Sequence, residues 1–338
     1  MSATGYLKHY LETFDPLVAD PTVIEFVVNG DGRCFVERQG ASRMVPVADC
    51  DIDPDRAMEI ANAAAVRGET KITASSPLLS TSFMHDAAML RMQAVASPAS
   101  ATGTVLSFRM FRPSVTRGEP KRFGFLRPDV TLSRDAERLA ALRRLRSIAA
   151  QGAGHEDELL RAALDMQVNI LVPGGTSTGK TELGRRLLWM IDDDTRLVTI
   201  EDSDELLPRQ PNVVRLIADR DDASPRSADK LLQATLRLRP DRIVVGELRG
   251  SEATTFLEAI NTGHGGSFTT IHAETARKAM DRLALMVMRQ GSRLRYAEVM
   301  RYLRSTIDMV IQVGRDGNDR GIAEVYFPPL DDAEPDDD

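Results

Sequence analysis

The chain is poor in several things, and each shortage removes a class of function. Its 338 residues include only two cysteines, Cys34 and Cys50. Neither lies in a CxxC pair, so neither a structural zinc site nor a disulfide framework is indicated. No run of eighteen or more apolar residues occurs, so no spanning helix is expected. The opening MSATGYLKHYLETF lacks a basic start followed by an apolar stretch; no signal peptide is expected and the chain reads as cytosolic. No repeat of 20–50 residues is visible. Positive charge is in the minority as well. A net charge of −7 weighs against a protein whose main work is coating nucleic acid, and no stable nucleic-acid binding is expected.

What is present is the composition of a globular protein. Apolar residues make up 42% and charged residues 28%, which predicts a real core, and the length allows two domains of ordinary size. Part of the negative charge lies in DDAEPDDD (331–338), which cannot bury apolar area and is expected to be disordered. Basic residues gather in RDAERLAALRRLRS (134–147). We read that stretch as a solvated helix face in preference to a nucleic-acid or lipid contact.

Residues 1–111 read as a small α+β domain. VIEFVVN (23–29) and RCFVER (33–38) are short strands around Asn29-Gly30-Asp31-Gly32, a hairpin signal. PDRAMEIANAAAVRG (54–68) has helical spacing and stops at Gly68. MLRMQAVAS (89–97) and GTVLSFRMF (103–111) are two further strands. RPSVTRGEPKRFGFLRPD (112–129), rich in Pro, Gly and Arg, places an interdomain linker over 112–132. Over 133–327, short apolar strands alternate with helices: VNILVP (168–173), TRLVTIED (195–202) and DRIVVGE (241–247). SPRSADKLLQATLRLR (224–239) opens with Ser then Pro, a helix start. The pattern predicts an α/β fold with a parallel, RecA-like sheet, preceded by the smaller α+β domain and followed by an acidic tail over 328–338.

Gly174-Gly175-Thr176-Ser177-Thr178-Gly179-Lys180-Thr181 fits GxxxxGK[ST], with a predicted strand before it and a predicted helix after it. Such a loop curls backbone N–H groups around phosphate, and the helix N-terminus adds partial positive charge. These eight residues and Glu182 form the candidate ATP-binding set. Lys180 would neutralise the β- and γ-phosphates, and the Thr181 hydroxyl would ligate magnesium.

Three further segments bear on what happens to the phosphate. TIEDSDEL (199–206) delivers Glu201 to a strand end, where a carboxylate can polarise water; an acidic strand-to-loop corner is also common without function. RLRPDRIVVGELRG (237–250) reads as a Walker B strand, with Glu247 reaching magnesium directly or through water and Arg249 open to phosphate or intersubunit contact. The bland alternative is a buried strand with a surface Glu. NTGHGGSFTTIHA (261–273) holds His264 and His272, two of only five histidines. Both suit a group that senses the γ-phosphate. Metal ligation is less favoured, since no third ligand falls at a suitable spacing.

Taken in order, GGTSTGKT, TIEDSDEL, LRLRPDRIVVGELRG and TGHGGSFTTIHA closely resemble the Walker A, Asp, Walker B and His boxes of the secretion-superfamily traffic ATPases. The type IV secretion and conjugal-transfer branch is nearest. VIEFVVNGDGRCFVERQG resembles that branch's opening hairpin and TVLSFRMFRP its final N-domain strand, so the resemblance spans roughly residues 10–325. It implies an N-terminal domain linked to a RecA-like ATPase domain, a homohexamer, nucleotide at the domain junction, and hydrolysis of ATP with Mg. By position, Lys180 and Thr181 hold phosphate and magnesium, Glu201 activates water, Glu247 is the Walker B acid and His272 the distal His-box residue. Arg109 matches an N-domain arginine that approaches the γ-phosphate, and Arg91 is a weaker match. Such a cation can contribute roughly 10³–10⁵ in rate; the alternative for each arginine is a surface ion pair worth under about 1 kcal/mol.

The sequence also departs from the family. Gly265 stands where Pro is frequent, and the glycine expected before Arg91 is missing. There is neither a tetracysteine insertion nor a retraction-type C-terminal motif. Both absences favour the conjugation or effector-secretion branch. The implied protein is a motor docked on inner-membrane secretion subunits at the cytoplasmic face. Alternatives are a pilus-assembly ATPase, a nucleotide-gated scaffold with little hydrolysis, and a helicase or recombinase.

Overall fold

The computed structural model describes residues 3–112, 124–126, 131, 133–291 and 293–333. Most of the expected linker, and the tail beyond Ala333, lie outside these residues. The strands are β1 (Val23–Val28), β2 (Cys34–Arg38), β3 (Val45–Pro46), β4 (Leu78–His85), β5 (Ala88–Val95) and β6 (Val105–Phe111). They continue as β7 (Ile170–Pro173), β8 (Leu197–Glu201), β9 (Val213–Ile217), β10 (Arg242–Val245), β11 (Phe268–Ile271), β12 (Met309–Asp316) and β13 (Asp319–Tyr326). Two compact units result. One comprises Met1–Pro120, Asp192–Glu205 and Arg209–Asp241, the other Lys121–Ile191, Leu206–Pro208 and Arg242–Asp338. The units therefore interleave along the sequence and do not follow a single cut.

In the first unit an antiparallel sheet runs β3-β2-β1-β6-β5-β4. One face is apolar: Phe26, Phe108, Leu90 and Met92 are sealed with Ala57, Ile60, Ala61 and Ala64 of the helix Pro54–Arg67. That helix starts as its sequence indicates, the Asp53 side chain accepting from the Asp55 N–H, with Pro54 in the first turn. Phe26 and Phe108 stack at 4.7 Å between ring centres. The β1–β2 turn closes with the Asn29 N–H donating to the Arg33 carbonyl at 3.0 Å. Gly32 takes φ +86°, and a Cβ there would lie 1.9 Å from the Ile52 oxygen, so only glycine fits. The same unit contains the parallel pair β8–β9. Its β9 is tied to the 99–101 loop by Ala101 N–H to Arg215 O at 2.9 Å and Ile217 N–H to Ala99 O at 2.8 Å.

The second unit's strands run β13-β12-β7-β11-β10. β12 is parallel to β7, β7 to β11 and β11 to β10, while β13 returns antiparallel. Every residue of β7, β10 and β11 is buried, as expected of strands covered on both faces. Among the described residues no helix is long and apolar enough to cross a membrane.

Some expectations need correction. The helix expected over 224–239 is Ala228–Thr235, with Ser227 at its N-cap position. The Ser224 hydroxyl is instead engaged in the preceding turn, donating to Asp219 and accepting from the Arg226 N–H, each at 3.3 Å. Pro328–Ala333 is helical where a disordered tail was expected. Buried Leu330 anchors it, and Asp331 accepts from the Tyr326 hydroxyl at 2.6 Å. Residues 134–147 lie in the helix Arg134–Ala149, which buries only Leu142, Leu145 and Ile148.

Candidate active site

Register builds the site. β7 runs directly into the glycine loop, and its last residue Pro173 pairs with Ile271, the last of β11. The Gly174 N–H then donates to the Ile271 carbonyl at 3.2 Å, so His272 begins where the loop begins. On the other side of β11, Val245 pairs with Thr269, and the Thr270 hydroxyl donates to Gly246 O at 2.7 Å. That brings Glu247 beside the same strand end.

The loop has the backbone such a turn demands. Ser177 and Gly179 take φ +59° and +99°, and the helix Lys180–Met190 follows at once. A Cβ on Gly174 would sit 2.4 Å from Thr178 Oγ1 and 2.7 Å from Val313 Cγ2, so a side chain there would displace the loop. The Thr178 hydroxyl donates to Gly175 O at 3.0 Å, and Lys180 Nζ donates to the Gly174 and Gly175 carbonyls at 3.1 Å each.

A polar chain leads away from Lys180. Its Nζ lies 3.4 Å from His272 Nδ1, His272 Nε2 lies 3.1 Å from Glu247 Oε1, and Arg249 Nη2 lies 2.8 Å from Glu247 Oε2. Lysine has only protons to offer, so Nδ1 accepts and Nε2 carries the proton given to Glu247. Burial holds the Lys180 ammonium below its ordinary pKa, as does Arg249, while Glu247 opposes them. A cavity of about 650 Å³ opens here, lined by Gly175, Thr176, Arg249, His272, Lys278 and Arg282 among others, with the acids Glu274 and Asp281 on the same wall. A pocket bounded by a phosphate-loop backbone and several cations suits a polyanion.

A model of the type II/IV secretion system protein family matches residues 131–316. The type IV secretion system protein VirB11 of Brucella suis is 35% identical over 96% of this chain and 90% of its own length. The conjugal transfer protein TrbB of Rhizobium radiobacter is 30% identical over 90% and 84%. A crystal structure of the Brucella suis VirB11 ATPase with sulphate superposes at a TM-score of 0.82, at 34% identity, covering 97% of this chain and 96% of that one. The chain belongs to the type II/IV secretion system protein family.

It is accordingly an ATPase, with a RecA-like ATPase domain preceded by an α+β N-terminal domain. Within this secretion ATPase, Lys180, His272 and Glu247 come together in one unit. Glu201 and Arg109 belong to the other. Glu201 ends β8 almost sealed, at 7% exposure, with Oε1 accepting the Glu205 N–H at 3.2 Å. Its acidic neighbours are occupied: Asp202 pairs with Arg220 and Asp204 with Arg215, both at 2.8 Å. Arg109 is exposed in β6, directly across from Glu25 of β1 and Arg91 of β5.

His264 is a correction. It precedes β11 at the strand's N-terminal end, and its carbonyl accepts the Ser267 hydroxyl at 2.6 Å. The adjoining Gly266 N–H donates to Asn169 Oδ1 at 3.1 Å, and Asn169 stands just before β7. Because β7 and β11 are parallel, that is the sheet end opposite the loop, so His264 is not brought to the phosphate within this chain. Glu252 is a residue the sequence reading passed over. Buried at 5% exposure, its Oε1 accepts the Arg249 and Gly250 N–H groups and fixes the segment after Glu247. The available signal was an acid in the first turn of a helix.

Proposed function

We propose that this ATPase is a homohexameric motor that energises a type IV secretion or conjugative transfer machine. It would dock on inner-membrane subunits at the cytoplasmic face, peripheral through those partners. The kinship with VirB11 and TrbB proteins supports the client. The continuous Lys180–His272–Glu247 chain carries the mechanism.

In this reading the loop N–H groups and Lys180 take the β- and γ-phosphates. Lys180 exchanges its loop carbonyls for phosphate oxygens, which weakens its donation to His272. The imidazole, still tied to Glu247, registers that exchange and its reversal when phosphate departs. Glu201 orients and polarises the attacking water, and Arg109 meets the charge that develops on the γ-phosphate. Arg109 and Arg91 stand opposite one another in register, a like-charge juxtaposition from which a sheet gains nothing. Thr181 and Glu247 would hold magnesium. A hydroxyl and a carboxylate are the oxygen donors that ion prefers, and when bound it neutralises charge on the phosphates.

The test is phosphate release by the purified chain with and without magnesium, alongside sedimentation with and without ATP. His272→Ala is expected to bind nucleotide near normally and turn over slowly. Parent turnover in that variant would remove the sensor role, and a monomer at all nucleotide concentrations would remove the ring.

A further inference from the structure

The first unit contains a cation that the proposed mechanism does not use. Arg196 immediately precedes β8 and is wholly sealed, at 0% exposure. Its Nε donates to Leu238 O at 2.8 Å, and its Nη1 to Asn29 Oδ1 at 2.8 Å and to Asn212 Oδ1. Asp241 brackets its backbone, Oδ2 accepting the Arg196 N–H at 2.8 Å while the Asp241 N–H donates to Arg196 O at 2.9 Å. Burial lowers the guanidinium to about 10, with Glu25 and Asp241 opposing and Arg239 assisting.

A buried cation held by neutral oxygens is a poor way to stabilise a fold, and the best-attested use of such a group is to fix register. β8 needs that. All five of its residues are buried, so no alternation of apolar and polar side chains tells it which way to face. A slip of one residue against β9 would turn Glu201 to the opposite face. Asn212 heads β9, where the Leu197 N–H donates to Asn212 O at 3.0 Å, and Asn29 opens the β1–β2 turn. The Asn29 amide also donates to Asn212 Oδ1 at 3.1 Å. Arg196 thus joins three segments that meet at the start of the strand.

We infer that Arg196 is a positioning residue for hydrolysis: with Asn29 and Asn212 it pins the register of β8 and so fixes the direction in which Glu201 leaves the strand. The inference rests on the water-activating reading of Glu201. It is tested with Asn29→Ala, which removes one acceptor, and Arg196→Lys, which keeps the charge but not the planar fork. Each is made alone and together with Glu201→Gln. The readouts are kcat, nucleotide Kd and the urea midpoint. Both single variants are expected to lose about ten- to a hundredfold in kcat, with Kd near the parent, and to lose little more when Glu201 is already Gln. Each chain stays folded under assay conditions, though the unsatisfied buried donor lowers its urea midpoint. Activity that falls only with the folded fraction overturns the inference, and so do losses that multiply in the Glu201→Gln background. Full kcat in Asn29→Ala and Arg196→Lys, beside an inactive Glu201→Gln, also overturns it. A Glu201→Gln variant at the parent rate instead removes the carboxylate reading. A kcat loss in Asn29→Ala would then place the same pin under another group of β8.

Discussion

Lys180 and Arg196 are two cations of one chain held in opposite ways. Lys180 leans on two loop carbonyls and an imidazole at 3.1–3.4 Å, and that imidazole, with Gly175, lines an open cavity. Arg196 is sealed and bonded to three oxygens from three different segments. The difference follows from what each has to do. A cation that must accept phosphate needs partners that are weak and replaceable. One that fixes a strand needs partners that do not leave.

The contrast can be attacked from its strongest point downward. The second unit has its own sealed ion: Asp308, fully buried, takes a bidentate contact from Arg138 and the Asn169 N–H at 2.6 Å. Arg138→Ala is expected to cost about 3–5 kcal/mol at neutral pH, because a carboxylate is left without its charge partner. The pH dependence has a definite sign. Burial raises the Asp308 carboxyl, with Arg138 and Asn169 opposing. A raised folded-state value means stability present at low pH and lost as pH climbs through that value. Removing Arg138 enlarges the raise, so the deficit should deepen as pH climbs above the ordinary carboxylate range. A deficit in urea unfolding that does not vary with pH would show that Asp308 is not the group responsible.

Lys180→Ala should lower kcat by roughly 10²–10³-fold, comparable to deleting a principal transition-state donor, while the urea midpoint stays near the parent. An equal loss of stability would make Lys180 a structural residue. Glu247→Gln comes next, with about a hundredfold loss of kcat and ATP affinity kept, measured by nucleotide titration; lost affinity would move Glu247 from the chemical step to binding. Lys8→Ala is the floor. Its pair with Asp86 spans 3.2 Å between well-exposed side chains, and the melting temperature should move by less than about 4 °C. A larger shift would show that exposure alone does not separate weak ion pairs from strong ones here.

The loop was legible in the sequence because its chemistry is local: eight contiguous residues dictate both turn and helix start. β1, β2, β5 to β8 and β10 were legible for the same reason, each a short apolar run bounded by turn residues. β4, β9, β12 and β13 were not singled out; β4 and β9 alternate in burial only after pairing, and β13 is largely exposed. The start of the helix at Ala228 was missed because Asp219 engages Ser224, a partner outside the window that a Ser-Pro signal can see. His264 misled through composition alone, since a histidine among glycines looks the same at either end of a strand.

The sequence by itself determined the phosphate loop, the acids and imidazole of the boxes, and their order. Those depend on residue type and near spacing, which a linear chain carries in full. Only the tertiary structure decided that His272 meets Lys180 across 92 positions and that Arg196 meets Asn29 across 167. Such meetings depend on strand register and on which elements share a core, and no short window of sequence encodes either.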